Sequence, residues 1–222
     1  MTTVTRAEAI AETLREAILN GQYLSGERMI EVKLAQTYEV SQNTVRDALR
    51  ILEGEGWVVK NPRHGVYVRS FSAADAVEVC ALIGALEALA LTWVTERLDR
   101  IARADLRSLL NEARRLGYVG ERDQAFDHLV RFHERIGAAG RPLTRQFLER
   151  LYIYVRLLEA LREARSPRTA QELTTQIAEH EMLLRAIDAG DSATACEKLR
   201  ELITNYSAIV SAVLSSSTTR LT

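Results

Sequence analysis

Gln42, Asn43, Thr44, Arg46 and Arg50 are the side chains of this chain best suited to touch a base edge or a phosphate. A carboxamide can pair with two edge atoms of adenine, and a guanidinium with guanine or with phosphate oxygens. Such groups work only if something rigid presents them together. Val45, Ala48, Leu49 and Leu52 recur at helical spacing and form an inward stripe, so the polar five fall on the outer face. Ser41 just before them is an N-cap residue type. Upstream, Leu34, Ala35 and Tyr38 give a shorter helix its apolar face, with Val40 expected to be the buried residue of the turn between the two. The pattern is a helix, a tight turn and a second helix built to enter the major groove of DNA. Taken without its flanks, it also suits an amphipathic helix pair in any all-α protein.

The flanks favour DNA. Glu55-Gly56-Trp57-Val58-Val59-Lys60 and Val66-Tyr67-Val68-Arg69 are two β-branched runs joined by Asn61-Pro62-Arg63-His64-Gly65, which reads as a hairpin. Its turn carries Arg63 and His64, with Lys60 just before, so it forms a basic wing suited to the minor groove or the backbone. The competing reading is a hairpin that caps a small core with solvated charges. Ahead of the pair, Thr5 precedes a helix over Arg6 to Asn20, with Ala7, Ile10, Leu14, Ala17 and Ile18 on one face and Gly21 as its C′ residue.

Residues Gly21 to Val68 resemble the winged-helix head of GntR-type transcription regulators. The matching signature is Leu24-Ser25-Gly26-Glu27-Arg28, Glu31, Leu34-Ala35, Val40-Ser41, Val45-Arg46-Asp47-Ala48-Leu49, Leu52-Glu53, Glu55-Gly56 and Gly65. The resemblance implies sequence-specific binding of double-stranded DNA through Arg28, Ser41, Gln42, Asn43, Thr44, Arg46, Arg50, Lys60, Arg63, His64 and Gly65. The family usually has Arg where this chain has Gln42. Arg suits guanine and Gln suits adenine, so the operator bases are expected to differ from the family's usual ones.

With 222 residues, 47% hydrophobic, the chain can hold a small head and one larger domain, expected at 1–71 and 72–222. The formal net charge of −1 gives no general attraction to nucleic acid, so basic character must be local, at Arg46, Arg50, Lys60, Arg63 and Arg69. No apolar run approaches the roughly 18 residues of a membrane span, and Met-Thr-Thr-Val-Thr-Arg lacks a signal-peptide core; a cytoplasmic protein with no membrane partner is expected. Cys80 and Cys196 sit in apolar helical segments and read as structural thiols.

From Ser72 onward, strand signals stop. Helices are expected over Ala73 to about Leu98, Arg103 to Leu116, Glu121 to Ala139, Leu143 to Ala164, Arg168 to Ala189 and Asp191 to about Leu214, with Ser72 as the first N-cap and residues 215–219 as a frayed tail. The fold class is therefore mostly α: an N-terminal winged helix-turn-helix and a C-terminal antiparallel six-helix bundle. This second part resembles the FCD effector domain of FadR-like GntR regulators, on Leu86-Glu87 with Ala90, Phe132-His133 with Gly140-Arg141-Pro142-Leu143, and Glu179-His180 with Ala186-Ile187 and Gly190-Asp191. Six helices fit the VanR-like branch better than the seven-helix one.

The FCD resemblance implies Zn²⁺ or a similar ion held by an Asp and three His, and this sequence breaks the set. His133 and His180 occupy two of the positions, while the Asp position is Leu129 and the last His position is Leu202. Gln176, one turn before His180, is a weak oxygen donor, and Glu87 is expected to face the interior. Asp127 and His128 should point to other faces of their helix. An Arg that often holds a carboxylate ligand is here Ile83. The expected pocket thus comprises Ile83, Glu87, Leu129, His133, Gln176, His180 and Leu202, with His133 and His180 as a degenerate metal pair. No cofactor is expected, and the effector is apolar or weakly polar, or absent. Arg131, Arg156 and Arg162 remain candidate charges for the pocket.

A helical-bundle metal enzyme is disfavoured. Such centres use Glu three residues before His, and those positions are Val130 and Ile177; no phosphate loop or serine elbow occurs either. The expected mechanism is ligand-responsive repression by a homodimer spanning a palindromic operator. The alternative is a constitutive DNA-binding dimer with a collapsed bundle interior.

Overall fold

The computed structural model describes residues 4–95 and 98–216. The end of the first expected bundle helix at 96–97, and the tail at 217–219, lie outside the described residues. Among those described, the order is α1 (Arg6–Leu19), β1 (Arg28–Met29), α2 (Glu31–Thr37), α3 (Gln42–Glu55), β2 (Val58–Asn61), β3 (Gly65–Val68), α4 (Ala73–Val94), α5 (Arg100–Tyr118), α6 (Arg122–Ala138), α7 (Pro142–Arg165), α8 (Ala170–Asp188) and α9 (Ser192–Ser215).

Local chemistry sets the boundaries. Thr5, Ser72 and Thr169 each close a capping box, and Ser41 caps α3 by accepting from Thr44 N–H at 3.1 Å. Gly56, at φ 103°, turns the chain from α3 into β2. The turn between α2 and α3 places Glu39 at φ 51°, in the left-handed region. Val40 there is only partly buried, not fully as its position suggested, because it packs at the rim of the head's core.

The head has one strand that the hairpin pattern did not reveal. Arg28–Met29 pairs antiparallel with β3, giving the order β1-β3-β2, with Arg28 opposite Tyr67 and Lys60 opposite Val66. Two residues are too short for an alternation signal. Ile10, Leu14, Leu34, Val45, Leu49, Leu52, Trp57 and Val68 make the head's core.

The six helices α4 to α9 surround a second core centred on Ile83, Leu106, Phe132, Leu148, Leu158, Leu183 and Leu199. Averaged over Ala73–Trp93, α4 is long and apolar enough to cross a membrane, with a mean hydropathy of 1.7. This corrects the expectation that no segment would approach a span: Asp75, Glu78 and Glu87 interrupt the run without lowering the average enough. The helix instead packs against α9, α7 and α6, which is how the core helix of a bundle passes the same test.

Head and bundle meet along α7. Leu157 of α7 is buried within the head's core, and Ile153 packs against it. Tyr154 takes the Arg69 guanidinium over its ring at 5.0 Å and meets the Phe71 ring in a tilted pair at 5.5 Å, 60° between planes. Arg69 also donates through Nε to the Gly56 carbonyl at 2.7 Å. Arg69 therefore belongs to the junction between head and bundle, a correction to its reading as part of the basic wing.

Candidate DNA interface and effector pocket

The α3 helix stands with its inner residues Val45, Ala48, Leu49 and Leu52 buried and Gln42, Asn43, Arg46 and Arg50 exposed. Ser41 is exposed, but its hydroxyl is engaged in capping and lies 2.9 Å from the half-buried Thr44 hydroxyl. Side chains free to extend from the outer face are thus Gln42, Asn43, Arg46 and Arg50. Arg46 is held by Glu31 of α2 at 2.7 Å, and Arg50 by Asp47 at 3.2 Å. Exposed pairs of this kind contribute little and exchange readily for a phosphate.

The wing is the hairpin of β2 and β3. Lys60, Arg63 and His64 are exposed at its tip, and Arg63 adopts φ 66° to close the turn. Gly65 sits at φ 107°, and a Cβ there would lie 3.0 Å from Arg28 Nε. Arg28 therefore lies along the wing backbone, and glycine is needed at 65 for its left-handed conformation.

Inside the bundle, Ile83, Glu87, Leu129, His133, Gln176, His180 and Leu202 all border one cavity, together with Cys80, Phe126, Tyr152, Val155 and Tyr206. The seven expected pocket residues come from α4, α6, α8 and α9, so the structure brings the whole set together. The cavity encloses about 50 Å³.

A chain of hydrogen bonds runs along one pole. Tyr152 O–H donates to Glu87 at 2.9 Å and lies 2.8 Å from the His133 carbonyl. Glu87, fully buried, meets His133 Nδ1 at 2.7 Å. His133 Nε2 stands 3.1 Å from His180 Nε2, and His180 Nδ1 stands 2.6 Å from the Gln176 carbonyl. A carbonyl can only accept, so His180 carries its proton on Nδ1 and its Nε2 accepts. His133 must then donate through Nε2–H, and its Nδ1 shares a proton with Glu87. Every ring nitrogen at this pole has a partner within the chain. Burial, and secondly the neighbouring His133, lower the His180 pKa to about 3. Burial, then the Glu87 carboxylate, pushes the Tyr152 hydroxyl far above the ordinary phenol range, and burial raises Cys80 to about 11.

The four-ligand metal cage does not fit. The two corners beyond His133 and His180 are the hydrocarbon side chains of Leu129 and Leu202, both lining the cavity. Glu87 reaches the far nitrogen of His133, not the gap between the imidazoles. The Gln176 side-chain oxygen is taken by Arg168. Among the described residues no group of three or more His, Cys, Asp and Glu side chains converges on a common point.

Other candidate charges face elsewhere. Asp127 pairs with Arg131 and Arg156, and His128, half-buried, has its Nδ1 at 2.9 Å from the Gln124 carbonyl of its own helix. Arg162 is buried against Glu159 and Glu163. Sequence reading missed Arg168, 2% exposed, which bonds Gln176 and Glu159 from the loop before α8. Neither periodicity nor motif marked it; Pro167 made the segment read only as a break.

Two family models match: "Bacterial regulatory proteins, gntR family" over residues 6–68 and the FCD domain over 78–205. The regulator YdhC of Bacillus subtilis is 32% identical over 122 residues, covering 54% of each chain, so that match spans about half of the relative's length. LutR of the same organism is 26% identical across 87% of this chain and 96% of its own. Among solved structures, a GntR-type regulator from Rhodococcus sp. RHA1 superposes with a TM-score of 0.79 at 20% identity, covering 92% of this chain and 97% of that one. McbR/YncC of E. coli also gives 0.79, at 22% identity, with 94% and 98% covered. A winged helix-turn-helix head on an FCD-type bundle defines a class of bacterial DNA-binding regulators, not of enzymes. The chain belongs to the GntR family of bacterial regulatory proteins with an FCD domain: it is a transcriptional regulator that binds DNA, and its helical domain is of the effector-binding type.

Proposed function

We propose that this regulator is a cytoplasmic repressor of the FadR-like, VanR-like branch, which binds a palindromic operator as a homodimer and releases it when an uncharged, largely apolar effector enters the bundle. Residues 1–71 form the DNA-binding unit and 72–222 the effector and dimerisation unit. Gln42, Asn43 and Arg46 read base edges. Arg28, Arg50, Lys60, Arg63 and His64 hold the backbone, Gly65 gives the wing its left-handed turn, and Ser41 and Thr44 set the start of the recognition helix. No metal takes part.

The observation that carries this reading is the position of α7. It borders the cavity through Tyr152 and Val155 and enters the head's core through Leu157. A change in cavity shape therefore has a rigid route to the head, as a switch requires. The apolar effector follows from the pole's internal pairing, which leaves no free cation for a carboxylate.

A second copy is the proposed partner of the outer face of α4. Val77, Ala81, Ala85 and Leu89 recur there every fourth residue and all are exposed, beside exposed Leu82. Small residues at the centre let two such helices approach closely. The test is selection of operators from randomised DNA, followed by anisotropy titration of the selected site. A two-fold symmetric site bound by two chains is expected; an asymmetric site bound by one chain would overturn the dimer reading.

A further inference from the structure

The buried cavity of about 50 Å³ is too small for a ligand in its present shape, since small-molecule sites run to about 300 Å³ or more. A larger hollow of about 680 Å³ lies outside it, in the cleft between the C-terminal end of α1 and helices α6 and α7. Phe126 and Val130, one turn apart on α6, border both spaces. They are the wall between them. Phe126 is held from both directions: Tyr206 stacks on it at 5.8 Å, nearly parallel at 22°, and the Arg168 guanidinium lies 3.8 Å from its ring centre. Arg168 is bound at both terminal nitrogens by Gln176 and Glu159, while its buried Nε has no hydrogen-bond partner. Its position is thus fixed independently of the ring it covers.

We propose that Phe126 is the gate of the pocket, that the ligand enters from the cleft beside the head, and that the ligand is an uncharged single-ring aromatic molecule. This rests on the effector reading above and extends it. When Phe126 swings outward into the cleft, the inner cavity gains the volume of one aromatic ring. The gap is then lined by Tyr206, by hydrocarbon from Leu129, Val130 and Leu202, and by the face of Arg168. An aromatic ring restores the contact that the guanidinium loses, since a desolvated cation over a π face is stabilising, whereas an aliphatic ligand does not. A carboxylate finds no net charge to meet it: Arg162 and Arg168 are already balanced by Glu159 and Glu163. A second seam beside the cavity, between α8 and α9, is spanned by the Asn205 to Glu179 hydrogen bond at 2.6 Å, with Glu179 itself on the cavity lining.

The experiment uses fluorotoluene and fluorobenzoate as probes, with fluorine NMR reading affinity and exchange rate on the full-length protein. Fluorotoluene should bind and fluorobenzoate should not. Phe126→Ala should speed fluorotoluene exchange by about tenfold or more, equivalent to removing one decade's worth of barrier, while Asn205→Ala, which breaks the α8–α9 seam, should leave it unchanged. Leu202→Phe, which fills the inner cavity, should abolish binding. Equal exchange in Phe126→Ala and the unmodified protein, or faster exchange in Asn205→Ala alone, overturns the gate. Tight fluorobenzoate binding, or fluorotoluene binding that survives Leu202→Phe, overturns the ligand class and site. Failure of fluorotoluene to bind at all also overturns the proposal. The effector reading is judged separately, by whether Leu202→Phe changes operator affinity without any probe: a change keeps it, and no change removes it.

Discussion

Tyr152 and Tyr154 stand two residues apart on α7 and serve different compartments. The Tyr152 hydroxyl is buried at the polar pole of the cavity, on Glu87 and the His133 carbonyl. The Tyr154 ring lies under Arg69 and against Phe71, where the head joins the bundle. One helical segment therefore touches both the candidate effector site and the DNA-binding unit.

Removing the outer contact should loosen the junction without emptying either core. Tyr154→Ala is expected to lower global stability by about 1–3 kcal/mol, from the lost ring contacts and the lost cation–π pair. Hydrogen exchange at Arg69 to Phe71 should rise, while that of α3 stays as it was. Gly56→Ala should act similarly from the other direction, because its Cβ would lie 2.9 Å from the Tyr154 ring at a φ of 103°. Unchanged exchange at the linker in both variants would show that the junction does not hold the head.

The depressed His180 pKa has a stability consequence whose sign is fixed. In the unfolded chain the imidazole takes up a proton near 6.5, and in the folded chain only near 3. Between these values the unfolded state binds more protons, so stability rises with pH; it is fully present above 6.5 and declines as pH falls towards 3. The slope from this one group approaches about 1.4 kcal/mol per pH unit. His180→Leu should remove that slope between pH 6.5 and 4.5, whatever it does to absolute stability. Parallel pH profiles for the two proteins in urea unfolding would reject the assignment.

Arg46→Ala should abolish specific operator binding with the fold intact, since half of its side chain is exposed and among the described residues its one ion pair is with Glu31. Gln42→Arg should move the preferred base from adenine towards guanine at one position of each half-site, by roughly 1–3 kcal/mol. Selection from randomised DNA reads both effects. Identical sites for the unmodified and Gln42→Arg proteins would show that residue 42 reads no base.

Much of this was legible in the sequence because it rests on local rules. The caps at Thr5, Ser41 and Ser72, the stripe of Val45 to Leu52 and the hairpin turn each follow from a few neighbouring residues. The seven pocket positions were legible for a different reason: helical spacing and family resemblance together fix which face of each helix turns inward. What sequence could not reveal depends on three-dimensional convergence. β1 is too short to show a period. Arg168 is buried because Phe126, Gln176 and Glu159 meet around it, and none is its neighbour in sequence. Arg69 read as a wing charge because nothing local indicates that Tyr154 lies beneath it.

Ala85→Glu should split the dimer. Ala85 is exposed on the α4 stripe between Ala81 and Leu89, so one chain tolerates the charge, whereas a paired interface would bury it. Light scattering should report a monomer. Operator affinity should fall about a hundredfold or more, because each head then binds its half-site without a tethered partner. A stable dimer with unchanged affinity would place the interface elsewhere.

The purified protein is expected to carry little Zn²⁺, and chelation should leave folding and operator binding unchanged. A structural or sensing zinc needs about four protein ligands, or three with water, and the cavity offers two imidazole nitrogens whose gap is spanned by a hydrogen bond of their own. Leu129 and Leu202 border the same cavity as His133 and His180. Leu129→Asp combined with Leu202→His should therefore raise the donor set to four and create a metal site. Binding would compete with the proton between the two Nε2 atoms, so affinity should strengthen as pH rises. Metal content per chain, measured before and after the double substitution, decides the matter. A full equivalent of tightly held metal in the unmodified protein would mean that Glu87 or Gln176 leaves its present partner to complete the shell, and the reading of this pocket as an apolar site would then be wrong.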